Sequence, residues 1–322
     1  MNSKITAIGA YTPSKRVTNE YFEQFIETNN EWIISRTGIK ERRFSEPDEY
    51  TSDMCIKAIK NLLAENPGIT LEGVDFILVG TTTADQIMPS MASQIQNYFK
   101  LENTGCLDIM AACAGFVYGV ILAKGLIAAG THKKILVLGA ETLSKFTDYH
   151  DRTSCILFGD AAGVALIEPS EKSKILNGVT GSDGSHGKDL YLSQHATVVN
   201  GEQIDANGKI HQNGKVVFKW AVQTMSQKVR ELLAINHMEL SELDWIILHS
   251  ANMRIIDAVA SELNYPLDKM PTSIEFFGNT SSASIPLSWD LASKAGKIKP
   301  GNKILLLGFG GGLTYAGVIV EV

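Results

Sequence analysis

The chain has 322 residues, 44% of them hydrophobic and 20% charged, enough to bury a large core in one large unit or two medium ones. A net charge of −6 argues against non-specific nucleic-acid binding, and Cys55, Cys106, Cys113 and Cys155 lack zinc spacing and fit reduced thiols in a cytoplasm. The N-terminus has no signal-peptide core, and the longest apolar stretch, Phe116 to Gly130, is broken by Lys124 and too short for a bilayer, so a cytoplasmic protein without a membrane partner is expected.

Taken in order, the pattern predicts an amphipathic helix over Asp53 to Glu65, with Cys55, Ala58, Ile59 and Leu62 on its core face. Asp75-Phe-Ile-Leu-Val-Gly reads as a strand covered on both faces. A further short strand begins near Gly105. Ala111-Ala-Cys-Ala-Gly115 then opens an apolar helix whose free N–H groups point at Cys113, an environment that lowers a thiol pKa. The alternative for Cys113 is a small buried hydrophobe. Lys134-Ile-Leu-Val-Leu-Gly is another strand, and Ala165-Leu-Ile-Glu-Pro closes the first half near residue 170. The segment from Gly181 to Gly214 reads as a long surface excursion, and Phe218 to Ile235 as a helix with a buried stripe.

The chain then repeats itself. Asp244-Trp-Ile-Ile-Leu-His echoes the run at Asp75, and Lys303-Ile-Leu-Leu-Leu-Gly echoes the run at Lys134, both at a separation of 169 residues. Strands alternating with helices imply mostly parallel sheets, so the expected architecture is two pseudo-symmetric α/β halves, 1–170 and 171–322. The offset sets Gly80 against His249 and Cys113 against Ser282. His249 emerges from a buried strand end, a costly place for a group that can charge, whereas the other six histidines lie among polar or turn residues. Asn279 suits either a turn or helix cap or a catalytic amide. The glycines after Leu307 suit either a tight turn or a backbone donor to a carbonyl oxygen. Ligands bind outside the carboxyl ends of strands in such sheets, where Cys113, His249 and Asn279 can share one crevice.

Ala112-Cys-Ala-Gly-Phe, His249-x-Ala-Asn-x-Arg-Ile, Gly278-Asn-Thr-Ser and Gly308-Phe-Gly-Gly-Gly together resemble the β-ketoacyl-acyl carrier protein synthase III family. Glu31-Trp-Ile-x-x-Arg-Thr-Gly-Ile, Asp151-Arg-Thr and Phe158-Gly-Asp-Ala-Ala-Gly support the match. The resemblance implies a thiolase-like, five-layer α-β-α-β-α fold and a decarboxylative condensation of an acyl-CoA starter with malonyl-acyl carrier protein. It implies Cys113 as the acyl-accepting nucleophile with His249 and Asn279 beside it, and the N–H groups of Cys113 and Gly311 as an oxyanion hole. Trp32, Arg36, Arg152, Gly214, Phe218 and Asn252 match coenzyme A positions, and Met88 and Phe309 the acyl pocket, with Met88 lent across a homodimer. Arg254, Lys215 and Lys219 suit either a docking rim for an acidic carrier protein or a solvated surface. No metal or redox cofactor is implied; coenzyme A enters as a substrate thioester.

Several rivals meet obstacles in the residues. A papain-like Cys-His-Asn thioester hydrolase conflicts with the duplicated α/β pattern, and a nicotinamide-binding fold with the glycine spacing at Gly308. A degradative thiolase lacks its second cysteine, while a related synthase of secondary metabolism shares every residue named. Ser250 departs from the glutamine usual after the histidine, and Met88 from phenylalanine.

Overall fold

The computed structural model describes residues 1–322. In chain order it forms β1 (Asn2–Tyr11), β2 (Lys15–Thr18), α1 (Asn30–Thr37), β3 (Glu41–Phe44), α2 (Thr51–Glu65), β4 (Phe76–Gly80), α3 (Met91–Phe99), β5 (Gly105–Ile109), α4 (Gly115–Ala128), β6 (Ile135–Thr142), α5 (Leu143–Phe146) and β7 (Asp160–Ser170). There follow β8 (Ile175–Ser182), the short strands β9 (Leu190–Leu192), β10 (Val198–Val199), β11 (Glu202–Gln203) and β12 (Ile210–Gln212), then α6 (Gly214–Ile235) and β13 (Trp245–Leu248). The last elements are α7 (Met253–Leu263), α8 (Ile274–Phe277), α9 (Ser284–Lys294), β14 (Lys303–Gly310) and β15 (Thr314–Glu321).

Two mixed sheets carry the fold, in the orders β1-β7-β6-β4-β5 and β13-β14-β15-β8. With three parallel pairings against four antiparallel ones they are not the mostly parallel sheets expected, because β1, β7, β8 and β15 join by hairpin or edge pairing rather than through helical crossovers. Helices α4 and α9 lie between them, α2 covers the outer face of the first and α6 that of the second, giving alternating helix and sheet layers. Strand β6 is buried at all eight positions, as its unbroken apolar run requires. Phe116, Val117 and Val120 of α4 meet Ile285 and Trp289 of α9 and residues of both sheets in one apolar core. Truncating a fully buried side chain such as Phe116 to alanine costs about 3–5 kcal/mol.

Most predicted elements stand where the periodicity put them, with shifted ends. Helix α2 starts at Thr51 because the Asp53 carboxylate accepts the Tyr50 N–H at 2.9 Å. Helix α6 starts four residues before the apolar stripe, where the Asn213 side chain accepts from the Val216 N–H at 3.5 Å. The excursion after Gly181 holds two small antiparallel pairs, β9 with β12 and β10 with β11. No helix is long and apolar enough to cross a membrane. The second sheet lacks a counterpart of β5. Residues 274–278, which the 169-residue offset sets against Gly105–Ile109, form the single turn α8 and lead Asn279 into a bridge with Phe158.

Candidate active site

Cys113 occupies the short 3-10 turn Ala112–Ala114 that precedes α4. The matching turn, Ser281–Ala283, precedes α9, and the two turns pack against each other. Even their strained residues correspond: Ala112 has φ +46° and Ser281 φ +49°, a left-handed conformation uncommon for residues with a Cβ. Strand β14 runs under the Cys113 turn. A Cβ on Gly310 would stand 2.6 Å from the Cys113 nitrogen, so only glycine lets the strand approach.

His249 follows β13 and is buried. Its Nδ1 lies 2.7 Å from the Ser284 hydroxyl oxygen, which also accepts the Ser250 N–H at 3.3 Å. The Ser284 hydroxyl has no other acceptor in reach, so this network assigns its proton to Nδ1 and places the ring proton on Nε2. Burial holds the imidazole down to about 3, neutral at working pH. Phe309 is buried and meets the His249 ring edge-on, with centroids 5.2 Å apart.

Asn279 is fixed at both ends. Its backbone N–H donates to the Leu157 carbonyl at 2.8 Å and its carbonyl accepts from the Gly159 N–H at 3.0 Å. The buried Arg42 braces that segment, donating to the Ile156 carbonyl and to Asn19 Oδ1. Asn279 Oδ1 accepts the Ser281 N–H at 2.9 Å, which leaves the two Nδ2–H donors free. One turn, 281–284, therefore touches all three polar groups: it lies against Cys113, orients Asn279 and holds His249.

The electrostatics correct one expectation. Instead of a lowered pKa, the Cys113 thiol is pushed up to about 12, first by burial and further by the charge of Glu141. The Ser281 hydroxyl and the Cys113 N–H favour the thiolate but do not offset the lost water. Helix α4 begins two residues after the sulfur rather than at it. Glu141, Ser281 and Ser284 escaped the sequence reading, which set Ser282 against Cys113 but gave the second turn no role. The available signal was an acid directly after the all-apolar run 135–140, the same signal that marked His249.

Toward the surface, the Arg152 guanidinium lies 4.3 Å over the Trp32 ring, with that of Arg36 at 6.0 Å. Asn252 caps α7 through Oδ1 and donates from Nδ2 to the Arg36 carbonyl at 3.1 Å, tying α7 to α1. Gly214 opens α6, and Phe218 on its next turn lies under the exposed Arg254 at 5.6 Å. Lys215 and Lys219 are exposed on one face of α6. Gly311 packs beneath the Leu190 carbonyl. Met88 is 82% exposed, so a single chain does not bring it to Phe309. Ser250 belongs to an interior hydroxyl network, 2.8 Å from Thr272 and 3.3 Å from Ser288. Two surface hollows, of about 330 and 400 Å³ near Lys57 and Tyr265, are lined by none of these residues.

A duplicated, layered α/β fold with a cysteine on one internal turn and neutral imidazole and amide donors held by its mate defines a condensing enzyme of thiolase-like fold. Family descriptions agree: 3-oxoacyl-(acyl-carrier-protein) synthase III matches residues 107–184, and its C-terminal part residues 233–322. A beta-ketoacyl-(acyl-carrier-protein) synthase III 2 of Bacillus subtilis (strain 168) is 49% identical over 320 residues, covering 99% of this chain and 98% of that protein. A solved synthase III from Thermus thermophilus superposes with a TM-score of 0.95 at 39% identity, covering 99% of both chains. One from Aquifex aeolicus VF5 gives 0.92 at 38% identity over the full length of both. The chain belongs to the β-ketoacyl-acyl carrier protein synthase III family and is an acyltransferase, a condensing enzyme of fatty acid synthesis.

Proposed function

We propose that the chain joins an acyl-CoA starter to malonyl-acyl carrier protein through an acyl group held on Cys113. The observation that carries this reading is the double orientation by the 281–284 turn. With His249 Nδ1 engaged by Ser284 and Asn279 Oδ1 by the Ser281 N–H, both groups present N–H donors and neither brings a positive charge. In the first step the Cys113 sulfur attacks the thioester carbonyl, the carbon–sulfur bond to coenzyme A breaks, and the thiol proton leaves with coenzyme A. The N–H groups of Cys113 and Gly311 hold the oxyanion. In the second step the malonyl carboxylate departs as carbon dioxide, and its electron pair forms an enolate whose oxygen accepts from His249 Nε2–H and Asn279 Nδ2–H. Neutral donors stabilise that oxygen without protonating the carbon. The carbanion attacks the acyl carbonyl, the bond to Cys113 breaks, and the thiolate regains a proton.

Trp32 and Arg152 form the platform for the adenine, with Arg36 beside it and Gly214, Phe218 and Asn252 along the pantetheine path. Lys215, Lys219 and Arg254 present positive charge to an acidic carrier protein. No metal or redox group has a step in this scheme, and the cytoplasm supplies both thioesters. Halves 1–170 and 171–322 are read as the two copies of one ancestral unit. Strand β5 is an open sheet edge that carries the exposed Leu107 and runs into Met110, 86% exposed, while Ile87 and Met88 stand exposed in the segment between β4 and α3. An apolar edge of this kind suits pairing with a second copy, which also carries Met88 toward the neighbouring pocket. Sedimentation as a monomer at micromolar concentration contradicts the dimer.

Intact-mass measurement after incubation with a panel of acyl-CoAs of different chain length and branching tests the chemistry. The expected product is one acyl adduct on Cys113, absent in Cys113→Ala. No adduct from any member, or an adduct that survives the substitution, overturns the reading.

A further inference from the structure

Glu141, at the end of β6, is fully buried and has no cationic partner. Its carboxyl is caged by hydroxyls: Thr83 donates to Oε2 at 2.6 Å, Thr81 to Oε2 at 3.4 Å and Ser281 to Oε1 at 3.2 Å, while Ser282 Oγ stands 3.4 Å from Oε1 with its proton on the Gly80 carbonyl at 2.8 Å. Thr82 adds its N–H and its hydroxyl, each 3.2 Å from both oxygens. A cage of backbone N–H groups alone would commit the carboxyl to its anion. Rotatable hydroxyls donate to the anion and accept from the acid, so the carboxyl can gain or lose a proton without stranding a polar atom. Ser281 is the link outward, because its turn lies against the Cys113 turn, its hydroxyl donates to Glu141 Oε1, and the same hydroxyl eases the raised pKa of the Cys113 thiol.

We propose that Glu141 receives the Cys113 thiol proton through the Ser281 hydroxyl during acyl loading. The step rests on Cys113 being the acylated nucleophile. As the Sγ–carbonyl bond forms, the thiol proton passes to Ser281 Oγ, and the Ser281 proton passes to Glu141 Oε1. As the coenzyme A thiolate leaves, the protons return along the same path and coenzyme A departs as the thiol. One negative charge is thus shared between sulfur and carboxylate, and the two are never ionised together.

The neighbouring groups favour this assignment. His249, the other base near the site, is neutral and held far below the working pH by burial, with Nδ1 already engaged. Burial pushes Glu141 up to about 7, poised to exchange a proton at working pH. The titratable groups that face it are the thiols of Cys113 and of Cys55 on α2, both pushed up first by burial; the charge of Glu141 adds to this at Cys113, and at Cys55 it comes after those of Asp85 and Asp108.

The test is the single-turnover rate of Cys113 acylation by acetyl-CoA and isobutyryl-CoA, followed by quenched intact mass from pH 6 to 10. Wild type, Glu141→Gln, Glu141→Asp and Ser281→Ala are compared. Alanine suits position 281, since Ala112 holds the same left-handed conformation in the mate turn. The wild-type rate is expected to rise through about pH 7 and level off. Glu141→Gln and Ser281→Ala are expected to load about 100-fold more slowly at pH 7 and to lose that inflection, their rates climbing to pH 10 as hydroxide takes over; Glu141→Asp recovers part of the rate. An unchanged pH profile in Ser281→Ala or in Glu141→Gln overturns the relay while leaving the nucleophile in place. A wild type that takes no acyl group at Cys113 removes the nucleophile, and the relay with it.

Discussion

Replacing Gly310 with alanine tests whether the backbone of β14 positions Cys113, the proposed nucleophile. The added Cβ would sit 2.6 Å from the Cys113 nitrogen, 2.9 Å from Ala112 Cβ and 3.2 Å from Cys113 Cβ. Ordinary contact begins at 3.4 Å, so strand and turn must part by about 0.8 Å, and three neighbours on one side leave no sideways escape. Overpacking of this kind costs about 1–3 kcal/mol in stability. Displacing a reacting group by roughly 1 Å costs about 100-fold in rate, which is the expected loss in acyl loading. The assay is acyl-Cys113 formation by quenched intact mass, with a thermal melt to show that the variant folds. Gly125→Ala in the last turn of α4 is the control: its Cβ meets nothing within 4 Å, and alanine gains up to about 1 kcal/mol there from helix propensity. Loading at the wild-type rate by a folded Gly310→Ala would refute the idea that close backbone approach sets the position of the sulfur.

Asn279→Asp keeps the acceptor for the Ser281 N–H but exchanges the free donors for a carboxylate, so malonyl-carrier decarboxylation should fall by about 100- to 1,000-fold while acyl loading persists; radiolabelled carbon dioxide release against intact mass separates the two. The Glu141 carboxyl is raised from 4.5 to about 7, so the native state holds its proton over that range; this stability is complete below about pH 4.5 and is lost as pH rises through 7. Glu141→Gln should therefore gain on wild type by about 2–3 kcal/mol between pH 5 and pH 8 in urea unfolding, and a pH-independent difference would contradict the buried, uncompensated anion. Trp32→Ala removes the ring under Arg152 and should raise KM for acyl-CoA roughly tenfold with kcat little changed; equal losses in both would mean that Trp32 supports the site structurally instead.

What sequence revealed and what it hid divide along a physical line. The 169-residue repeat, the buried strands and the polar residues at their carboxyl ends are local patterns, and His249 stood out because a chargeable ring follows four apolar residues. The pKa of Cys113 was not local. The helix start is visible around residue 113, but the burial of the sulfur and the charge of Glu141 arrive from elements 28 and more residues away. Ser281 and Ser284 read as ordinary small residues at a helix start. Their function lies in which atoms they face, and only the packing of the two turns supplies that. The four-residue error at the start of α6 has the same origin, a side-chain cap from Asn213 that periodicity does not register.

The two turns also explain why the chemistry falls on one side of the pseudo-symmetry. In the first half Gly80 meets Gly115 so closely that a Cβ on Gly80 would stand 2.6 Å from the Gly115 carbonyl carbon. The positions 169 residues later are His249 and Ser284, where the same approach carries a 2.7 Å hydrogen bond between side chains. Gly308 and Gly139 form another matched pair, each bare against the carbonyl of a turn residue, Cys113 and Ser282 respectively. Gly310 lies against Cys113, whereas its mate Glu141 reaches Ser281 with a carboxyl. On the proposed chemistry, a sulfur that accepts an acyl group needs bare backbone around it, for space and for N–H donors, whereas groups that stabilise an enolate or carry a proton need side chains held by other side chains. Each half alone can satisfy one demand at a given turn, and packing the turns together brings the two sets of groups to one contact.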